Sequence, residues 1–126
     1  MAGKYLAPEL YDAALNVVKN GATEMYLCTS SPANRAAAIA AALATRTGLT
    51  SGSFTGPGAG DVSGRKLTKT AESGISVSVT GTVTHNALCS GTTLLAVTEV
   101  TNPQVLTIGN TTNAPAFDVE FPAVTQ

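Results

Sequence analysis

The hydrophobic pattern changes its period along the chain, from helical spacing near the N-terminus to strand-like alternation in the second half. Two adjacent apolar rows at helical spacing run through the stretch LYDAALNVV. Pro8 suits a first helical position, and Gly21 suits the residue that ends a helix. We therefore predict a helix from Pro8 to Asn20.

A short buried strand and a second helix are predicted next. Thr23 to Ser30 alternates weakly between apolar and polar residues, which indicates a strand. Ser31 and Pro32 then resemble an N-cap followed by a proline at the first helical position. The stretch ANRAAAIAAALATRTG contains eight alanines, and alanine has the highest helix propensity. This pattern predicts a helix that runs up to Gly48.

The segment from Leu49 to Asp61 is rich in glycine, serine and proline, and Phe54 is its one aromatic side chain. Such a composition is typical of a loop or an extended arm. We predict a loop there, anchored by Phe54.

Alternation with a period of two dominates the rest of the chain. Lys66 to Thr70 is predicted to be a strand, and a half-buried strand is predicted from Ile75 to Val83 with a kink at Gly81. Ser90-Gly91 indicates a hairpin turn. The following strand is predicted from Thr92 to Val100, and its segment TLLAV is apolar on both faces, which predicts a central position in its sheet.

Prolines mark the boundaries of the last two predicted strands. Asn102-Pro103 is expected to end one strand, so that Val105 and Leu106 begin another. The last strand places Phe117, Val119 and Phe121 on one face. Pro115 and Pro122 flank it, which suits an edge strand.

These elements predict an α+β protein: two N-terminal helices with a short strand between them, then an antiparallel sheet or sandwich of five or six strands. A length of 126 residues indicates a single domain over 1–126. Within it we distinguish a helical part at 1–48, a loop or arm at 49–61, and a β part at 62–126.

The composition is poor in charge, and this restricts the classes of partner. Charged residues make up 12% of the chain, about half the usual share. A weakly charged surface suits a subunit that packs against copies of itself or against a partner. The net charge of −1 provides no drive toward nucleic acid or an anionic membrane. No apolar run long enough to span a bilayer is present, and the N-terminus lacks the apolar region of a signal peptide, so we expect synthesis in a cytoplasm.

The Gly-Arg-Lys triplet raises the question of a phosphate-binding loop, and its context argues against one. A P-loop needs glycine, lysine and then serine or threonine at a helix start, whereas Gly64 is followed by Arg65 and then by a strand pattern. We therefore predict no cofactor. Arg65, Lys66 and Lys69 are interpreted as a basic strip on the solvent face or against an acidic partner.

Few residues offer catalytic or metal-binding chemistry. Cys28, Cys89 and His85 form no standard metal-ligand spacing, and we predict no metal site. A nucleophilic pair of either cysteine with His85 stays an alternative, although buried free thiols are the simpler interpretation. Asp118 and Glu120 lie on one face of the predicted edge strand, where carboxylates commonly prevent edge-to-edge pairing. We predict no catalytic residues, so the chain is not expected to be an enzyme.

Three stretches of the sequence together resemble a known family. They are GDVSGRKLT at 60–68, SGISVSVTGTVTHNAL at 73–88, and GNTTNAPAFDVEF at 109–121. In this order they resemble small virion proteins of tailed bacteriophages that are encoded among the head genes. The resemblance covers nearly the whole chain and is most specific at Asp61 to Lys66 and Gly109 to Val119.

The resemblance implies a capsid decoration or cement protein. Such a subunit would bind the lattice of the major capsid protein on the virion surface, as a dimer, a trimer or a set of lattice neighbours. On that hypothesis we expect Phe54, Arg65, Lys66 and Lys69 to contact the partner. Residues 1–7 and the loop at 49–61 would serve as arms that become ordered on assembly.

Three alternatives remain open at this stage. A phage tail or neck subunit, such as a tube, terminator or adaptor, would also be a weakly charged assembly protein. A small enzyme that uses a cysteine is a second alternative, and a carbohydrate-binding module is a third. The absence of tryptophan and the presence of only three tyrosines argue against the last.

Overall fold

The computed structural model describes residues 8–59 and 65–121. Within these residues the chain forms two α-helices, a short 3-10 helix at Ser51–Ser53 and nine strands. The helices are α1 (Pro8–Gly21) and α2 (Arg35–Ala41). The strands are β1 (Glu24–Cys28), β2 (Ala42–Thr47), β3 (Phe54–Ala59), β4 (Arg65–Lys69), β5 (Glu72–Ser76), β6 (Gly81–Cys89), β7 (Leu94–Leu106), β8 (Thr111–Ala114) and β9 (Phe117–Phe121).

The strands form three antiparallel sheets. The largest has the order β2-β1-β6-β7, the second has the order β3-β4-β9, and β5 pairs with β8 in the third. The predicted class, a mixed α+β chain with two helices and antiparallel sheets, is confirmed.

One large hydrophobic cluster joins all three sheets to α1. Leu15 and Val18 of α1 pack in it with Leu67 of β4, and Ile75 of β5 and Leu88 of β6 belong to the same cluster. The predicted helix over Pro8–Asn20 is confirmed within one residue, because its caps and its apolar rows are local signals.

A smaller cluster on the other face of the large sheet is covered by α2. Cys28 and Cys89 lie in it beside Ala38, which is the buried residue of α2. Arg35 at the start of α2 binds the Glu24 carboxylate through two hydrogen bonds of 3.0 Å, which attach the helix to β1. Alanine side chains let the helix lie close to the sheet.

The second predicted helix is wrong over its C-terminal half. The helix begins after an Asn34 cap, whose side chain accepts a hydrogen bond of 2.8 Å from the Ala37 N–H, and not after Ser31. It ends at Ala41, and Ala42–Thr47 forms an edge strand beside β1. Leu43 is buried in the main cluster there, and burial together with strand pairing outweighs the helix propensity of alanine.

The loop predicted from Leu49 to Asp61 is also wrong over most of its length. The 3-10 turn leads into β3, which pairs with β4 from Phe54 opposite Lys69 to Ala59 opposite Arg65. Phe54 is 5% exposed, so it anchors this segment to the core as predicted. Residues 1–7, 60–64 and 122–126, which include the predicted N-terminal arm and Pro122, lie outside the described residues.

The single strand predicted from Ile75 to Val83 is in fact two strands in different sheets. Ile75 lies in β5 and pairs with Thr112 of β8, whereas Val83 lies in β6 of the large sheet. Gly81 begins β6, and a Cβ atom there would lie 3.0 Å from a methyl carbon of Leu43. The close approach of β2 at this point explains the glycine.

The break predicted at Asn102-Pro103 is absent, because β7 runs through both residues and is 13 residues long in total. Gln104 pairs with Val83, and Glu99 pairs with His85. The four residues of β7 between them, 100–103, therefore lie opposite a single residue of β6, Thr84. This bulge accommodates Pro103, which has no N–H to donate.

The Ser90-Gly91 turn is confirmed, since it joins β6 to β7. The central position predicted for 92–100 is wrong, because β7 is an edge strand of its sheet.

Candidate functional site

The basic residues of β4 do not form one open strip. Alternation along the strand places Arg65 and Lys69 on the side of buried Leu67, and Lys66 on the opposite side. Arg65 makes a two-point ion pair with Asp12 of α1, through hydrogen bonds of 2.8 and 3.2 Å. This ion pair therefore links Arg65 of β4 to Asp12 of α1.

The other two lysines are also paired within the chain. Lys66 Nζ lies 3.5 Å from an Asp118 carboxylate oxygen on β9. Lys69 is 0% exposed, and its Nζ donates to the Thr70 carbonyl at 2.7 Å and to Glu72 Oε2 at 2.8 Å. The interpretation of Lys69 as a surface contact is corrected, because a buried cation is retained only with such partners.

Phe54 is likewise removed from the accessible surface. It packs in the main cluster and lies opposite Lys69 in the β3–β4 pair. Of the four residues expected to contact a partner, only Arg65 and Lys66 keep partly exposed side chains, and both form ion pairs with carboxylates of the same chain. The alternation with a period of two around Leu67 could have indicated from the sequence that Arg65 and Lys69 lie on the same face of the strand as buried Leu67.

The outer face of α1 is an apolar surface without a covering element among the described residues. Leu10 is 56% exposed and Val17 is 60% exposed, while Leu15 and Val18 on the inner face are buried. Ala13 and Ala14 are exposed between Leu10 and Val17. Spacings of three, four and seven residues put these four side chains on one stripe, which we call the outer stripe. The two apolar rows in the sequence correspond to these two faces.

The outer edge of β7 is a second exposed feature. Residues 94–98, LLAVT, are all half-buried, and within the described residues no strand pairs with this edge. Lysine and proline commonly block the pairing of another strand with an exposed edge, and residues 94–98 contain neither. It can accept an added antiparallel strand.

The thiols and the histidine do not form a nucleophilic site. Cys28 lies opposite His85 in the β1–β6 register, but its thiol contacts the carbonyl oxygens of Tyr26 at 3.7 Å and of Ala38 at 3.6 Å. The His85 Nδ1 atom instead pairs with the Thr84 hydroxyl at 2.9 Å. Both cysteines are free and fully buried, as predicted.

We expect both thiols to react with Ellman's reagent at pH 8 only as fast as the protein unfolds. Burial raises the pKa of Cys28 to about 11 and raises the pKa of Cys89, so that little reactive thiolate is present in the folded chain. Stability should fall as the pH rises from 9.0 toward 11, because only the unfolded thiol then releases its proton. Rapid labelling of the native protein would contradict this expectation and revive the cysteine-enzyme alternative.

Of Asp118 and Glu120 on the last strand, only Asp118 has a side chain that the structure describes. Asp118 accepts a hydrogen bond of 2.7 Å from the Thr68 hydroxyl and pairs with Lys66, so it supports the β4–β9 contact. The backbone of Glu120 pairs with that of Lys66, and its side chain lies outside the described residues.

The part of the chain that the structure describes contains neither a metal-ligand cluster nor a membrane-spanning helix. No three or more histidine, cysteine or acidic side chains come together at metal-binding distance in residues 8–59 and 65–121. No helix in this part of the chain has the length and apolar character needed to cross a membrane. No protein-family model, curated protein or solved structure matches the chain.

Proposed function

We propose that this chain is a structural virion protein of a tailed bacteriophage, a capsid decoration subunit that binds the major capsid protein lattice and stabilises the head. The observation that carries the proposal is the outer stripe of α1, an apolar surface on a chain with few charges. The resemblance at Gly109 to Val119 points to the phage head. The site of action is the virion surface, after synthesis in the host cytoplasm.

The partner surface differs from the one that the sequence predicted. Arg65 and Lys66 are paired with carboxylates, and Phe54 and Lys69 are buried, so these four residues do not supply the main contact. The outer stripe replaces them: two large apolar side chains stand at its ends, and two alanines between them allow a close approach. Complete desolvation of such a patch is what concentrates binding energy in a few residues.

Self-association is part of the proposal. A second copy that pairs along the outer edge of β7 would continue the large sheet across the dimer, and this edge lies on a different element from the outer stripe. Avidity across a repeating shell would then multiply contacts that are individually weak.

The first test is the number of copies per purified particle, measured by quantitative mass spectrometry. Hundreds of copies are expected for a head lattice, because a decoration subunit repeats with the capsomers. A ring of copies near the neck would support the tail or neck alternative. Absence from particles would refute both virion proposals.

The second test addresses the surface. Val17→Asp is expected to weaken binding to empty heads by about tenfold or more, since it places a charge in the outer stripe. Thr92→Asp, which adds the same charge at an exposed position in the β6–β7 turn, should bind like the parent chain. Equal binding by both variants would remove the outer stripe from the contact while leaving the virion role standing.

A further inference from the structure

A cavity of about 310 Å³ lies beside the bulged part of β7. Its walls come from β1, β6, β7 and the 113–117 segment that joins β8 to β9. The bulge is what opens this space, because the four β7 residues that face Thr84 alone turn away from the regular ladder. Nothing in the proposed decoration role uses the cavity.

The polar side chains that line the cavity, among those that the structure describes, are four carboxamides and one carboxylate, contributed by Asn86, Asn102, Gln104, Asn113 and Glu99. A carboxamide both donates and accepts hydrogen bonds. No lysine, arginine or histidine is among the lining residues that the structure describes. The cavity is therefore unsuited to phosphate or another anion and suited to a neutral ligand whose groups also donate and accept.

Asn86 is the strongest indication that the cavity accommodates a ligand. It is 7% exposed and lines the cavity, whereas the other polar lining residues are exposed, so its carboxamide is the most buried polar group there. Thr98, which lies directly opposite in the β6–β7 register, has a hydroxyl oxygen that is buried without a hydrogen-bonding partner among the described residues. Buried polar groups nearly always have a hydrogen-bonding partner, and one left without a partner is costly.

Apolar side chains complete the walls. Phe117 is half-buried at one side, and Leu27 and Val83 contribute further apolar surface. A pyranose ring presents hydroxyls at its edge and C–H groups on its faces, which matches carboxamides beside an aromatic ring. An added peptide strand needs a regularly spaced edge, and the bulge interrupts that spacing.

We propose that this cavity binds a neutral, hydroxyl-rich ligand of the saccharide class, with Asn86 as its innermost hydrogen-bonding group and with Phe117 as the aromatic face in a chain that has no tryptophan. Gln104 and Asn113 hold the outer hydroxyls, and Phe117 covers one face of the ring. The site is separate from the outer stripe, so it adds a recognition function and does not depend on the capsid role.

The test is a titration of the ¹⁵N-labelled full chain with D-glucose, N-acetyl-D-glucosamine and glycerol, followed by NMR. At least one of the sugars is expected to shift the side-chain amide signals of Asn86 and Asn113 saturably, with a Kd of about 1 mM. Glycerol shares the adjacent hydroxyls but has no ring face for Phe117. It should therefore bind about tenfold more weakly.

Variants separate recognition from folding. Asn86→Leu and the exposed-rim variant Gln104→Ala should each weaken sugar binding by about tenfold, whereas Asn20→Ala on α1 should leave it unchanged. Gln104→Ala keeps the test decisive if Asn86→Leu fails to fold. The proposal is overturned if neither sugar gives saturable shifts at about fifty times the expected Kd, or if Gln104→Ala binds as the parent does. It is also overturned if an acetylated tetra-alanine peptide, and not a sugar, produces the shifts.

Discussion

Glu72→Gln is expected to lower the free energy of unfolding by about 3 kcal/mol, because it leaves the Lys69 ammonium group charged and buried without its carboxylate. Lys69 is fully buried, and Glu72 Oε2 lies 2.8 Å from its Nζ. Glu72 also lies 3.3 Å from Arg46 Nε, although that N–H makes no hydrogen bond. We attribute the cost to Lys69, since the Arg46 side chain is one-third exposed and its pairing is screened by solvent.

The matched variant is Lys69→Met, which removes the buried charge and keeps an unbranched side chain of similar length. We expect it to change stability by less than about 1 kcal/mol in either direction, because an apolar replacement avoids the desolvation of the ammonium group. In the double variant, Glu72→Gln should then cost little. Urea denaturation of the three variants at pH 7 measures all of these quantities. A larger loss for Lys69→Met than for Glu72→Gln would show that the ion pair itself is the stabilising element.

Leu15→Ala is the second change with a large expected effect, a loss of about 3 kcal/mol in the free energy of unfolding. Leu15 is fully buried in the cluster that joins α1 to the sheets, so its truncation loses apolar burial and leaves a cavity. The same truncation at Leu10, on the outer stripe of the same helix, should cost no more than about 0.5 kcal/mol. Thermal and chemical denaturation test the pair.

The comparison also separates folding from assembly. Leu10→Ala should weaken binding to empty heads while the isolated chain unfolds as the parent does, because the Leu10 side chain is mostly exposed among the residues that the structure describes. Equal destabilisation by Leu10→Ala and Leu15→Ala would mean that the outer stripe packs against part of the same chain. The outer stripe would then no longer be a candidate contact surface.

The candidate site was only partly predictable from the sequence. Both apolar rows of α1 are visible at helical spacing, and the period of two around Leu67 could have indicated that Lys69 points inward. The ion pair of Arg65 with Asp12 joins residues 53 positions apart, and no local pattern indicates such a contact. The cavity beside β7 depends on a bulge and on a segment from 113 to 117, which only the fold brings together.

The sequence by itself determined α1, β1, β4, the β6–β7 turn and the edge strand β9. Each of these elements depends on signals contained within a few residues: a cap, a turn dipeptide or an unbroken period. Tertiary structure alone decided that Ala42–Thr47 is a strand, that β7 continues through Pro103, and that β5 and β6 lie in different sheets. Those outcomes depend on which distant strand offers a partner and on which side chains become buried, and these non-local contributions outweigh intrinsic propensity.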